Sequence, residues 1–119
     1  MKIVLNHKET EDVLSASLDY AKYLEDQMRE FGDEPQISEQ LLWALDAVLG
    51  VRSKMFSEGE KINLSDNERN ILGKILIKTA QKYYDKANEY RGTFSNVYKA
   101  FEAAGDRYTA ILKKLTDKE

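Results

Sequence analysis

Apolar residues recur along this chain at alternating three- and four-residue steps, the spacing that lines one face of an α-helix. Between about Asn6 and Phe31 the line is Leu14, Ser17, Ala21, Leu24, Met28 and Phe31, with Val13 and Leu18 widening it. Gly32-Asp33-Glu34-Pro35 predicts the stop, because glycine accepts the left-handed C-terminal conformation and the residue before proline avoids helical angles. A second helix is expected from Ser38, a suitable N-cap, to about Phe56, with Leu41, Leu42, Leu45, Val48, Leu49, Met55 and Phe56 on its face. Trp43, Ala44, Ala47 and Val51 add apolar surface on its other sides, which predicts that it is the most buried of the helices.

Ser57-Glu58-Gly59-Glu60 breaks the pattern, and Ser65-Asp66-Asn67-Glu68 then matches a capping box, in which serine and glutamate each satisfy a backbone N–H left unpaired at a helix start. The third helix, about Asp66 to Tyr90, carries Leu72, Ile75, Thr79, Tyr83, Ala87 and Tyr90 in line, with Ile71, Leu76 and Ala80 beside them, and Gly92 ends it. A fourth begins near Ser95 and places Val97, Phe101, Ala104, Tyr108, Ile111 and Leu115 on one side, flanked by Tyr98 and Leu112. Lys113, Lys114 and Lys118 lie toward its C-terminus, where positive charge suits the helix dipole. Gly105 in its middle is either a close-packing residue or a break between two shorter helices.

Four stripes joined by short links predict an all-α fold, an antiparallel up-down-up-down four-helix bundle in a single domain over residues 1–119. A local echo points to a duplicated helical hairpin: Lys2-Ile3-Val4-Leu5-Asn6-His7-Lys8-Glu9 and Lys61-Ile62-Asn63-Leu64-Ser65-Asp66-Asn67-Glu68 share the pattern K-I-x-L-[N/S]-x-x-E. The alternative is two capping boxes alike by coincidence. If the echo is real, Ile3 to Leu5 and Ile62 to Leu64 are short extended lead-ins, adjacent at one end of the bundle.

Composition removes most catalytic chemistries. With no cysteine there is no disulfide, no thiolate nucleophile and no sulfur-dependent zinc site. The one histidine, His7, has no glutamate three residues before it, as a carboxylate-bridged di-metal bundle requires, and its place near a helix start predicts exposure. Gly50, Gly73 and Gly105 are isolated within helical patterns and form no phosphate-binding loop. Asp46, the one charge inside the second helix's apolar run, falls on a polar strip with Glu39 and Ser53 and is read as exposed. No catalytic, cofactor-binding or metal-ligating residue is therefore assigned, and the chain is read as not an enzyme. The stretch Met1 to Asn6 is too short in apolar residues to read as a signal peptide, and the window Leu41 to Val51 falls well below the roughly 20 residues of a membrane span. A cytoplasmic protein without membrane contact is expected.

Charge sorts unevenly along the chain: residues 1 to 59 hold 6 basic against 12 acidic side chains, and the rest hold 12 against 9. Asp12, Asp19, Asp26 and Asp33 recur every seven residues, an acidic line, whereas Lys74, Lys78, Lys82 and Lys86 recur every four, a basic ridge. Ile77 and Tyr84 lie off the third helix's core line and read as a second apolar strip. The partner-binding residues expected are thus Asp12, Asp19 and Asp26 on one helix, and Lys74, Ile77, Lys78 and Tyr84 on the other, with Tyr84 as anchor. The partner expected is a protein, with a homodimer as one form.

Three functional readings follow. The first is a non-enzymatic interaction or regulatory protein, in which charge steers and apolar side chains hold. The second is a nucleic-acid-associated module that uses the basic ridge with Tyr83, Tyr84 and Tyr90; a net charge of −3 weighs against a polyanion. The third is a small ligand-binding or catalytic bundle with an interhelical pocket of tyrosine, lysine and carboxylate.

Overall fold

The computed structural model describes residues 1–116. In chain order the elements are β1 (Lys2–Val4), α1 (His7–Phe31), α2 (Pro35–Glu58), β2 (Lys61–Asn63), α3 (Asp66–Glu89) and α4 (Ser95–Thr116). The class is all-α with four helices, as the apolar periodicity predicts. The chain divides into two compact units, Met1–Leu72 and the part from Gly73 onward, with the division inside α3. Of the three lysines expected at the fourth helix's C-terminus, Lys118 lies outside the described residues.

In the first unit the two lead-ins of the sequence echo are extended and pair with each other. β1 and β2 run antiparallel, with Lys2 opposite Asn63, Ile3 opposite Ile62 and Val4 opposite Lys61. The register sets Ile3 against Ile62, its own counterpart in the echo, so a local two-fold passes through that pair. Flanking hydrogen bonds obey the same symmetry: Leu5 N donates to Glu60 O at 2.9 Å, and Leu64 N donates to Met1 O at 2.7 Å. The alternation of the strands buries Ile3, Leu5, Ile62 and Leu64 on one side, while Val4 faces solvent.

Each lead-in then feeds a capping box. Asn6 Oδ1 accepts from Glu9 N at 2.8 Å while Glu9 Oε1 accepts from Asn6 N at 3.0 Å. Ser65 Oγ accepts from Glu68 N at 3.2 Å while Glu68 Oε1 accepts from Ser65 N at 2.9 Å. The helices α1 and α3 therefore begin by the same device, from strands that touch.

Helix α1 packs on α2, and its buried side carries Val13, Ala16, Ser17, Ala21 and Leu24. The polar Ser17 is tolerated at full burial because its hydroxyl donates to Leu14 O at 2.9 Å and accepts from Arg52 Nη1 at 2.8 Å. Arg52 also donates to Leu14 O at 2.7 Å, so one α2 side chain fixes the height of the two helices. In the second unit α3 and α4 are joined through a turn with Gly92 at φ 82°, a left-handed conformation that L side chains rarely adopt. Their seam is aromatic: Tyr83 stacks on Tyr108 at 5.7 Å, and Tyr90 stacks on Phe101 at 5.8 Å.

Three expectations need correction, and the alternative left open at Gly105 is decided. Helix α2 starts at Pro35 and not at Ser38, because proline at the first helical position lacks only an N–H that would be unpaired there. Gly32 is right-handed, φ −64°, so the α1 stop is not a left-handed cap; a β-carbon there would strike Met28 O. Helix α2 is not the most buried: only Ala47, Val48, Val51 and Met55 are enclosed, while Ile37, Leu42, Trp43, Leu49 and Phe56 are exposed. One neighbouring helix can cover only one side of α2, and apolar residues all round it leave the other side open. Gly105 is no break, since α4 continues through it in close contact with Tyr84.

Candidate interaction surfaces

Of the seven residues singled out from sequence, five are exposed, Tyr84 is half-buried and Asp12 is buried. Asp19 and Asp26 are exposed on α1, and Asp26 pairs with Arg29 at 3.3 Å. Asp12 is only 5% exposed and lies 3.7 Å from Lys8 Nζ, so it does not belong to an accessible acidic line. Each seven-residue step drifts about 20° around an α-helix, which turns Asp19 and Asp26 further from the buried side than Asp12. Asp33, the last of the series, falls in the turn after α1.

On α3, Lys74, Ile77 and Lys78 are exposed. Ile77, 57% exposed, lies in a shallow furrow with Lys78, Gln81, Lys82, Asp85 and Lys86, on the side of α3 away from Leu72, Leu76, Ala80 and Ala87. Internal pairs spread the charge of this face: Gln81 donates to Asp85 at 2.9 Å and Lys86 lies 3.3 Å from Glu89. Tyr84 departs from the outward anchor expected of it. Its ring lies over Gly105, and its hydroxyl donates to Asp106 Oδ1 at 2.7 Å and lies 3.1 Å from Thr109 Oγ1. The absent β-carbon of residue 105 leaves the room that the Tyr84 ring fills.

The first unit carries two features that the sequence reading did not assign. One is a groove lined by Trp43, Asp46, Leu49, Gly50, Ser53 and the start of α3 at Ser65, Asn67 and Glu68. Glu68 anchors its floor: besides serving the capping box it accepts from Lys54 Nζ at 2.5 Å, and Lys54 donates also to Asn63 O at 2.9 Å. Gly50 admits this carboxylate, since a β-carbon there would strike Glu68 Oε2. Burial works to raise the Glu68 pKa, but the Lys54 hydrogen bond, those from Ser65 and the Lys54 charge outweigh it, and the net shift is downward. Asp46 is exposed, as its polar strip implied.

The second feature is an outward stripe on α2. Leu42, Leu49 and Phe56 are 52%, 52% and 71% exposed, with half-buried Leu45 between the first two. Arg52 holds the Phe56 ring, its guanidinium carbon 6.0 Å from the centroid. The seven-residue spacing of these three residues was visible in the sequence, but apolar residues all around a helix read equally as deep burial.

Other groups are accounted for structurally. His7 is exposed and lies 2.8 Å from Glu11. Among the described residues no group of three or more histidine, aspartate or glutamate side chains could hold a metal ion, and no helix is long and apolar enough to cross a membrane. Comparison with protein-family profiles, with curated proteins and with solved structures returns no match.

Proposed function

We propose that the chain is a non-enzymatic interaction or regulatory protein, acting in the cytoplasm, whose partner is another protein bound at the outer face of α3. The observation that carries this reading is Ile77: an isoleucine 57% exposed, placed among Lys74, Lys78 and Lys82 and away from the α3 core line. Lysines around it can steer an acidic partner, but exposed ion pairs contribute only about 0 to 1 kcal/mol each, so the holding energy falls to the apolar side chain and its surroundings. Asp19 and Asp26 on α1 form a separate surface of opposite sign. Asp12, which is buried, and Tyr84, half-buried against Gly105, support rather than make these surfaces.

The test is affinity capture from the native host's lysate followed by binding kinetics with the purified partner. Lys74→Glu with Lys78→Glu is expected to slow association and flatten its salt dependence, and Ile77→Ala to speed dissociation, with the helical signal unchanged. Indifference of a captured partner to all three changes refutes this surface. Capture of nucleic acid, with a steep loss of affinity on adding salt, favours the module built on the lysine ridge instead.

A further inference from the structure

The groove beside Glu68 sets an aromatic face and a carboxylate on consecutive turns of one helix. Trp43, Asp46 and Gly50 follow one another along α2 at three- and four-residue steps, so each stands one turn from the next, about 5 to 6 Å away. Trp43 is 48% exposed, Asp46 is exposed, and both line the groove. Among the described residues Asp46 has no cationic partner. Where the side chain of residue 50 would stand, the Glu68 carboxylate enters instead. Its hydrogen bonds from Ser65 N and Lys54 Nζ both fall on Oε1, while Oε2 lies against Gly50. The start of α3 adds the Asn67 amide to the lining.

These groups select the charge and the shape of a ligand. The ionisable residues of the lining are two carboxylates and none is basic, so the groove favours a cation. Lys54 offsets the charge of Glu68, which leaves Asp46 to supply the net attraction. Among cations a guanidinium uses both Trp43 and Asp46 at once: its flat face stacks within about 6 Å of an indole, and its edge donates two parallel hydrogen bonds to a carboxylate. An ammonium, a compact and strongly hydrated point charge, gains less from the ring. At about 380 Å³ the groove falls within the roughly 300 to 1,000 Å³ of ligand sites. Leu49, 52% exposed in its lining, offers apolar contact to whatever flanks the cation.

We infer that this groove is a guanidinium site, which takes an arginine side chain of a partner protein between the Trp43 ring and the Asp46 carboxylate. The site goes beyond the α3 face and lies in the other compact unit from Lys74, Ile77 and Lys78; only the source of the arginine rests on reading the chain as an interaction protein.

Trp43 is the only tryptophan of the chain, so its fluorescence reports on the groove alone. The test titrates the full chain with an end-blocked Gly-Arg-Gly peptide, against sodium chloride of the same ionic strength. A saturating change in emission is expected, with a dissociation constant of roughly 1 mM, since a single side chain docks. Lysine in place of the peptide arginine should weaken binding severalfold, and neutral, isosteric citrulline should abolish it. Asp46→Asn is expected to weaken binding about tenfold through loss of one charge-assisted pair, with circular dichroism unchanged because Asp46 is exposed. Trp43→Leu, followed by amide NMR shifts, should weaken it severalfold. An emission change no larger than that of the salt control, an equal response to the citrulline peptide, or indifference to Asp46→Asn would each overturn the inference. So would methylguanidinium that binds as tightly as the peptide, because the ligand would then be a free cation and not a protein side chain. Lys74→Glu with Lys78→Glu should leave this titration unchanged, so loss of the α3 partner with peptide binding intact refutes that face alone, and the reverse refutes the groove alone.

Discussion

The ring of Tyr84 lies over the α-carbon of Gly105, so close that a β-carbon on residue 105 would meet its Cε1 at 2.7 Å and its Cδ1 and Cζ at 2.9 Å. An otherwise unfavourable helical glycine and an apparently outward tyrosine therefore explain one another. Gly105→Ala must displace the ring and is expected to destabilise the second unit by about 1 to 3 kcal/mol, despite the better helix propensity of alanine. Gly73→Ala, where a β-carbon meets nothing within 4 Å, is expected to stabilise by about 0.5 to 1 kcal/mol. Denaturant unfolding of both variants checks the contrast. Adding Tyr84→Ala should make Gly105→Ala nearly harmless, a coupling that a double-mutant cycle reads directly.

Adjacent residues of α3 should have opposite fates. Leu76 is fully buried and Ile77 is 57% exposed. Leu76→Ala is expected to cost about 2 to 5 kcal/mol through lost burial and the cavity left behind. Ile77→Ala should change stability by no more than about 0.5 kcal/mol, as surface substitutions do. Thermal or denaturant melts decide this, and equal losses would place Ile77 in a core.

The two capping boxes predict matched but unequal losses. Asn6→Ala removes one acceptor at the start of α1 and is expected to cost about 0.5 to 2 kcal/mol. Ser65→Ala should fall at or above the upper part of that range, since its partner Glu68 is buried and is held also by Lys54. Urea midpoints of the two variants, compared under one condition, test the order.

Helix starts and pairing of the lead-ins were legible because both are local: Asn6 with Glu9 and Ser65 with Glu68 lie within one helical turn. The repeated K-I-x-L pattern brought a long-range pair, Ile3 with Ile62, within reach of the same reading. What escaped depends on which side of a helix finds a neighbour. Leu49 and Val48 are equally apolar and adjacent in sequence, yet one is 52% exposed and the other fully buried. Asp12 and Asp19 share a seven-residue repeat and lie within about 20° of one another around the helix, yet only the first is buried. Tyr84 was misread for a different reason: its acceptor surface is the missing side chain of Gly105, and an absence carries no apolar signal.

Glu68 should make the stability of the first unit depend on acid. Its carboxylate, 11% exposed and given room by Gly50, accepts from Lys54 Nζ and Ser65 N, and these hydrogen bonds with the Lys54 charge hold its pKa below the ordinary glutamate range against the opposing effect of burial. A carboxylate whose folded pKa is depressed contributes stability that is fully present above its unfolded pKa, about 4.3, and that is lost as pH falls through the lower folded value. Glu68→Gln keeps the size of the side chain but removes the charge that Lys54 pairs with, and is expected to destabilise by about 1 to 3 kcal/mol at neutral pH. The gap between variant and unmodified chain should then close on acidification below about pH 4, because protonation makes the native residue neutral too. Lys54→Met, which removes the other partner, should likewise destabilise at neutral pH and raise the pKa of Glu68, moving the acid transition upward. Unfolding free energies across the acidic range for the three proteins give the answer: a gap that stays constant with pH would mean that the Glu68 charge contributes nothing and that only its capping geometry matters.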